Sequence, residues 1–381
     1  MRVVAFATFL AVLATSSAIR AETPLRLRVV SWNVWGVPVI TPRLDERIQA
    51  IPDALAALEP DIVCLQELWE PRHSELVSKR LAARGFRDFH RFDGPRGRSG
   101  LFVASRWPLR GGAFRPFSIG RMPHSLWHLD WMVEKGVGDV IVQTPLGALR
   151  LENTHLQAQY RTDRYAAERL AQAVEIVLGD RERTDEARLL AGDFNGGGDE
   201  LPRHTLRDLG NLEDASPASD EDSVYARSGR DMAVRVVSAR THLPMLLDPE
   251  NGGMEALSDH AAVVVELELT RCADCARTPR VVSTTRAAAV ASLERAADST
   301  PFRVVLALLS AGTLLVLGVA AKRRMGVVTR GSRRRVALRV LALAILAACF
   351  VWCSYLGALY YPTRAKLLRQ VAGELASLPA R

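Results

Sequence analysis

Residues 189–200 read LLAGDFNGGGDE: an apolar run stops at a glycine, and Asp193 and Asn195 follow one residue apart. On an extended strand alternate side chains share a face, so this acid and amide would project together from the strand's end. Asp, Asn and Gly are also the ordinary turn formers, and alone the stretch reads first as a turn. Other runs end in the same manner. RVVSWNVWG delivers Asn33, DIVCLQE delivers Glu67, LRLENTHLQ delivers His155, and ALSDHAAVVV places Asp259 and His260 just before an apolar strand. Each has an ordinary reading: a helix cap for Glu67, a hydrogen-bonded core histidine for His155, a turn for Ser258-Asp259. A whole set of apolar strands ending in polar groups is harder to dismiss, because burying such groups is costly unless they are paired. Carboxylates and amides are hard oxygen ligands that suit Mg²⁺ rather than zinc. Histidines beside carboxylates suit phosphoester hydrolysis, in which a His–Asp pair activates water and a metal neutralises the phosphate.

The elements that would carry these groups alternate between the two periodicities. RLRVVSWNV and DIVCLQE read as strands, and LDERIQAIPDALAALE and RHSELVSKRLAAR have helical spacing. FRDFHRF and GLFVASRW are strand-like, and GVGDVIVQTPLGALRLENTHL reads as a hairpin turning at Thr144-Pro145-Leu146-Gly147. RTDRYAAERLAQAVEIVL is an amphipathic helix, ARLLAGDFN a strand, and MAVRVVSA and HAAVVVELEL are closing strands. The mixture predicts sheets with helices packed outside, a layered α/β sandwich over residues 22–271.

Hydrophobicity is concentrated at the two ends. Residues 3–14 are apolar behind Arg2 and precede TSSAIRA, the order of a secretory signal over 1–21. Residues 303–321 and 340–361 contain apolar stretches of about bilayer length. Between them, 322–339 holds eight Lys/Arg and no acid, the mark of a cytoplasmic loop. These features predict a two-helix transmembrane hairpin, a linker at 272–302 with a short helix near 286–298, and a tail at 362–381. The large domain would then lie on the extracytoplasmic side of a membrane. The formal charge of +8 hides a division: 272–381 carry 17 Lys/Arg against four Asp/Glu, and 22–271 carry a net −7. An acidic domain argues against nucleic acid as its partner, since that binding draws on clustered positive charge. Cys272 and Cys275 form a single CxxC, too few ligands for zinc, and read either as a small disulfide loop or as two inert thiols.

The ordered set NVWG, LQE, NTHLQ, GDFN and SDH resembles the endonuclease/exonuclease/phosphatase superfamily, the deoxyribonuclease-like fold, over about residues 26–270. NVWGVP, DWMVEKG and the two C-terminal apolar runs resemble the neutral sphingomyelinase family within it. The resemblance implies a four-layered α/β sandwich, two packed mixed sheets flanked by helices. It implies Glu67 as the main Mg²⁺ ligand with Asn33 close by and Asp259 assisting. Asp193 and Asn195 would orient the attacking water and hold a phosphoryl oxygen, His155 would bind the phosphate, and His260 would be the general base. Asp130 and Lys135 match an Asp–Lys pair that acts as a switch in that family. The family also carries an Asp in an Arg-Ile-Asp-Tyr-like strand that orients the base. GRDMAVRVV offers Asp231 for that place but lacks the tyrosine. The activity implied is Mg²⁺-dependent cleavage of sphingomyelin, a membrane phospholipid, to ceramide and phosphocholine. Another phospholipid or phosphoinositide phosphatase or a nuclease of the superfamily, and a membrane scaffold without activity, are the alternatives.

Overall fold

The computed structural model describes residues 23–120, 122–160, 165–216, 221–248, 252–276, 282–325 and 333–378. The expected signal segment at 1–21 and the middle of the basic loop lie outside the described residues.

Two six-stranded sheets face one another, and β12 (Met245–Leu247) and β13 (Met254–Ala256) form a separate antiparallel pair. The first runs β11 (Met232–His242), β14 (Ala262–Arg271), β1 (Leu25–Asn33), β2 (Ile62–Gln66), β4 (Gly97–Ser105), β3 (Asp88–Gly94). The second runs β5 (Leu109–Pro116), β6 (Gly136–Thr144), β7 (Gly147–His155), β8 (Arg188–Asp193), β10 (Asp222–Arg227), β9 (Glu213–Asp214). β1 pairs with β2 and β7 with β8 in parallel; the other pairs are antiparallel. A parallel pair needs a crossover. Helix α1 (Leu44–Ala57) supplies the first and α3 (Ala166–Gly179) the second. The expected hairpin turn at Thr144–Gly147 joins β6 to β7.

Strand alternation builds three cores. Val29 of β1 and Cys64 of β2 point between the sheets, against Leu151 of β7 and Leu189 of β8. Their neighbours Val30 and Val63 point outward onto Ile51 and Leu55 of α1 and Val77 of α2 (Pro71–Ala82). On the opposite flank Leu190 and Tyr225 pack beneath Ile176 of α3 and Leu206 of α4 (Leu201–Gly210). The result is the expected four-layered α/β/β/α sandwich.

The C-terminal third extends this plan. The segment read as a linker holds α5 (Ser283–Asp298), longer than the helix expected there, and the tail forms α8 (Tyr361–Ala376). Both pack on α3: Leu293, Leu368 and Leu375 share a core with Leu170 and Val174. α6 (Thr300–Met325) and α7 (Arg333–Tyr355) are long and apolar enough to cross a membrane, with Leu309, Val316 and Val351 exposed. Cys272 and Cys275 form a disulfide just after β14.

Candidate active site

The two parallel pairs end at one edge of the sandwich, and alternation decides what they present there. Counting outward from the inter-sheet core, Asn33 keeps the parity of Val29, Gln66 that of Cys64, His155 that of Leu151, and Asp193 that of Ala191. All four point into the gap between the sheets at its open end. β10 runs antiparallel to β8 and so begins at this edge, where Asp222 pairs with Asp193. β14 also begins here, immediately after Asp259 and His260.

Glu67 breaks the alternation. Its φ of 61° lies in the left-handed region, as does the 50° of Asn195. Non-glycine residues rarely adopt that region, and they gather at functional sites. The chain passes so close here that a Cβ on Gly36 would lie 2.1 Å from the Glu67 carbonyl oxygen. The glycine of NVWG is therefore required by contact.

The side chains converge. Asn33 Nδ2 donates to Asp193 Oδ2 at 2.9 Å, and the Asn195 amide N–H donates to Asp193 Oδ1 at 2.8 Å. His155 Nε2 lies 3.3 Å from Asp193 Oδ2 and 4.0 Å from Glu67 Oε1. His260 Nδ1 is 2.7 Å from Asp222 Oδ2, and its Nε2 is 3.9 Å from Asp193 Oδ2. Asn33, Glu67, His155, Asp193, Asn195 and His260 line one cleft of about 630 Å³, together with Asp130 and the exposed Asp259 at its rim. Lys135 is buried behind it. Its Nζ lies 3.2 Å from Asp130 Oδ1 and donates to the Leu156 carbonyl at 2.8 Å. The same carbonyl accepts Asn195 Nδ2 at 3.1 Å. The Asp–Lys pair is thus tied to the residue holding the neighbouring strand end.

Asp231 is the exception. It is exposed near the start of β11, where Arg230 N–H donates to Asp185 O at the opposite end of the sheets. The acid bonded to His260 is Asp222. In the sequence it stands at the head of DSVYAR, which has no apolar run like LLA or IVCL to announce a strand. The available signal was DSVYAR, an acid opening a strand that holds Tyr225. Ser258 does more than form a turn. Its Oγ donates to the Asn33 carbonyl at 2.7 Å and accepts the His260 N–H at 3.1 Å, which seats the histidine between the sheets.

Burial and mutual charge set the electrostatics. Burial pushes the Glu67 carboxyl up to about 7, against the opposing pull of Lys135. Burial likewise takes the His155 imidazole down to about 4. Burial alone would raise Asp193, but the charges of His155 and His260 and the Asn33 amide hold it below its ordinary value. Burial works to lower His260, yet the Asp222 bond and the surrounding carboxylates raise it to about 10. Glu67 Oε2 and His155 Nδ1 are buried without a hydrogen-bond partner. An orphaned carboxylate oxygen facing other oxygen donors fits a divalent cation. Oxygens of Asp193 and Asp222 and a His260 ring nitrogen, all within 4.8 Å of one another, offer a second set of donor atoms. The His260–Asp222 bond already occupies one of these, so the unpartnered Glu67 oxygen fits the ion better.

The chain is similar to proteins already known. The profile of the Endonuclease/Exonuclease/phosphatase family matches residues 30–261. A putative neutral sphingomyelinase of Drosophila melanogaster is 30% identical over 271 residues, 64% of this chain and 61% of that protein. The inositol phosphosphingolipids phospholipase C of Schizosaccharomyces pombe is 32% identical over 203 residues, 51% of this chain and 47% of that protein. The chain thus spans about half to three-fifths of the length of these curated relatives. Among solved structures, sphingomyelinase C from Streptomyces griseocarneus is similar with a TM-score of 0.50 and 19% identity, covering 64% of this chain and 99% of that one. That likeness is one of fold.

Proposed function

Starting from the Endonuclease/Exonuclease/phosphatase family, to which this chain belongs, we propose that it is a Mg²⁺-dependent phosphodiesterase acting on the headgroup of a sphingolipid. Sphingomyelin would be cleaved to ceramide and phosphocholine. The observation that carries this reading is the convergence of Glu67, His155, Asp193 and the Asp222–His260 pair at the mouth of one cleft. A sphingolipid is favoured because the relatives similar over this region carry sphingolipid names. The cleft also combines acids with Trp35, Trp69 and Trp127. Aromatic faces beside acids suit a quaternary ammonium headgroup.

Held by Glu67 and Asn33, the cation would supply charge neutralisation at the phosphate. The chain's own groups do the rest. Asp222 holds His260 through Nδ1 and leaves Nε2 facing the cleft to take a proton from water. Asp193, fixed from both sides by Asn33 and the Asn195 N–H, orients that water beside His260. His155 and the Asn195 amide border the position of a phosphoryl oxygen. α6 and α7 would anchor the chain in a bilayer, with the cleft on the extracytoplasmic side.

The test is turnover by the purified full chain, with Mg²⁺ and with EDTA. Phosphocholine release from detergent-dispersed sphingomyelin, abolished by EDTA and by His260→Ala, is the expected result. The S. pombe relative makes an inositol phosphosphingolipid the second substrate to offer. Nicked plasmid DNA with intact lipid would replace this reading by a nuclease. No turnover of any of these by folded protein would replace it by a scaffold.

A further inference from the structure

The route by which the chain leaves the apolar helices bears on where its substrate comes from. α7 passes through a π-helical turn, Leu356–Tyr360, directly into α8, with no loop between. α8 is fixed to the catalytic sandwich. Ala365, Leu368 and Ala372 are buried against α3 and α5, and Arg364 donates from Nε and Nη2 to the two carboxylate oxygens of Glu168, both residues buried. The first residue of α8, Tyr361, has its hydroxyl 3.1 Å from His124 Nε2.

His124 belongs to the segment that continues to the cleft. Three residues on stands Trp127, 87% exposed, whose Cα can lie no more than about 11 Å from that of His124. Leu126 and Met132 are exposed beside it, and Asp130 of the same segment reaches into the cleft. On the facing loop Val39 is fully exposed and Ile40 half-exposed, and Ile40 lines the cleft as well. The exposed apolar side chains of the Leu126–Met132 segment therefore sit near the start of α8, and Ile40 lines the same cleft as Trp127 and Met132. A cluster of exposed apolar side chains marks a surface that contacts protein or lipid.

We propose that the catalytic cleft is seated on the bilayer that α6 and α7 cross, and draws its lipid from that leaflet alone. This rests on the sphingolipid reading above. The strap of α8 on α3 makes the tether stiff, and a stiff tether gives a high effective concentration at one surface and almost none at another. The occupant of the apolar rim is then the headgroup–acyl boundary of the anchoring membrane.

The full chain is reconstituted into phosphatidylcholine vesicles that contain headgroup-labelled sphingomyelin, or into vesicles without it that are mixed with separate labelled ones. Hydrolysis within the host vesicle, at a rate unchanged by dilution and at least about tenfold above that in the mixed sample, is expected. Equal rates in the two arrangements would overturn the proposal. Val39→Asp combined with Leu126→Asp, two positions that do not line the cleft, should lower vesicle turnover about tenfold and leave detergent-dispersed turnover unchanged. Full vesicle turnover in this variant would also overturn it. Seating is read without activity as well. An environment-sensitive dye on Val39→Cys, corrected for the wild-type chain treated alike, should be quenched by bromine-labelled phosphatidylcholine. An unquenched dye refutes the seating, and a quenched dye with no sphingomyelin turnover in detergent refutes only the choice of substrate.

Discussion

Asp222 Oδ2 lies 2.7 Å from His260 Nδ1, and this contact decides which imidazole nitrogen faces the cleft. It also raises His260, as do Asp193 and Asp259, despite the burial that opposes it. The base form of the histidine exists only above its pKa, so the rate should climb with pH. Asp222→Asn removes the raising charge. The ascending limb of kcat/KM should move to lower pH, while kcat drops on the order of 10²–10⁴-fold as orientation is lost. Asp231→Asn should change neither. A limb that stays in place in Asp222→Asn would remove Asp222 from its role.

The cation and the proton compete for Glu67. Its carboxyl is raised to about 7 by burial. Without an ion its stability contribution is present below the ordinary carboxylate range and is lost as pH rises through about 7. A bound cation offsets that loss. The Tm gain from saturating Mg²⁺ should therefore be larger at pH 8 than at pH 5, and apparent affinity should rise with pH up to about 7 and then level off. Glu67→Gln should show little gain at either pH. An equal gain in the wild-type chain at both pH values would place the ion elsewhere.

Lys135 meets Asp130 at 3.2 Å, and Asp130 is held from its other oxygen by Gln157 Nε2 at 2.9 Å and the Ala158 N–H at 2.8 Å. Lys135→Met leaves a largely buried carboxylate without its cation and should cost about 10²-fold in kcat. If Lys135 acts through Asp130, the double variant Asp130→Asn, Lys135→Met should lose no more than the worse single one. Additive losses in kcat would show two independent roles.

The sites legible in the sequence are those whose strands carry an apolar run up to the polar end. β1, β7 and β8 declare both their period and their polar ends, so Asn33, His155 and Asp193 could be placed before their contacts were known. β2 behaves the same way up to Gln66, but the left-handed backbone that turns Glu67 into the cleft cannot be read from strand alternation. Asp222 was illegible for a different reason. It precedes Ser223 at the head of a strand with no apolar run, and a tertiary pairing with Asp193 gives it its meaning. α5 and α8 show the same limit. Their small apolar faces look like linker and tail until α3 is there to cover them.

The helix-facing side of the same strands carries a buried network of ion pairs. Two residues before Thr154, Glu152 accepts hydrogen bonds from Arg150 Nη2 and Arg188 Nε, each at 2.8 Å, and all three are buried. Asp180 at the end of α3 joins the network through Arg150, and Arg227 bonds to it in turn. Replacing one member of a buried ion network leaves the others desolvated without compensation, at a cost of about 3–5 kcal/mol. Glu152→Gln should therefore lower Tm by roughly 6–20 °C. Because Glu152 points away from the inter-sheet gap that holds His155, kcat per folded molecule should stay at the wild-type value. Thermal unfolding and turnover measured on one preparation separate the two effects. A stable variant would show that Asp180 and Asp139, which accepts from Arg150 Nη2 at 2.8 Å, suffice to balance the arginines, and a stable but inactive one would show that this network also positions the strand ends.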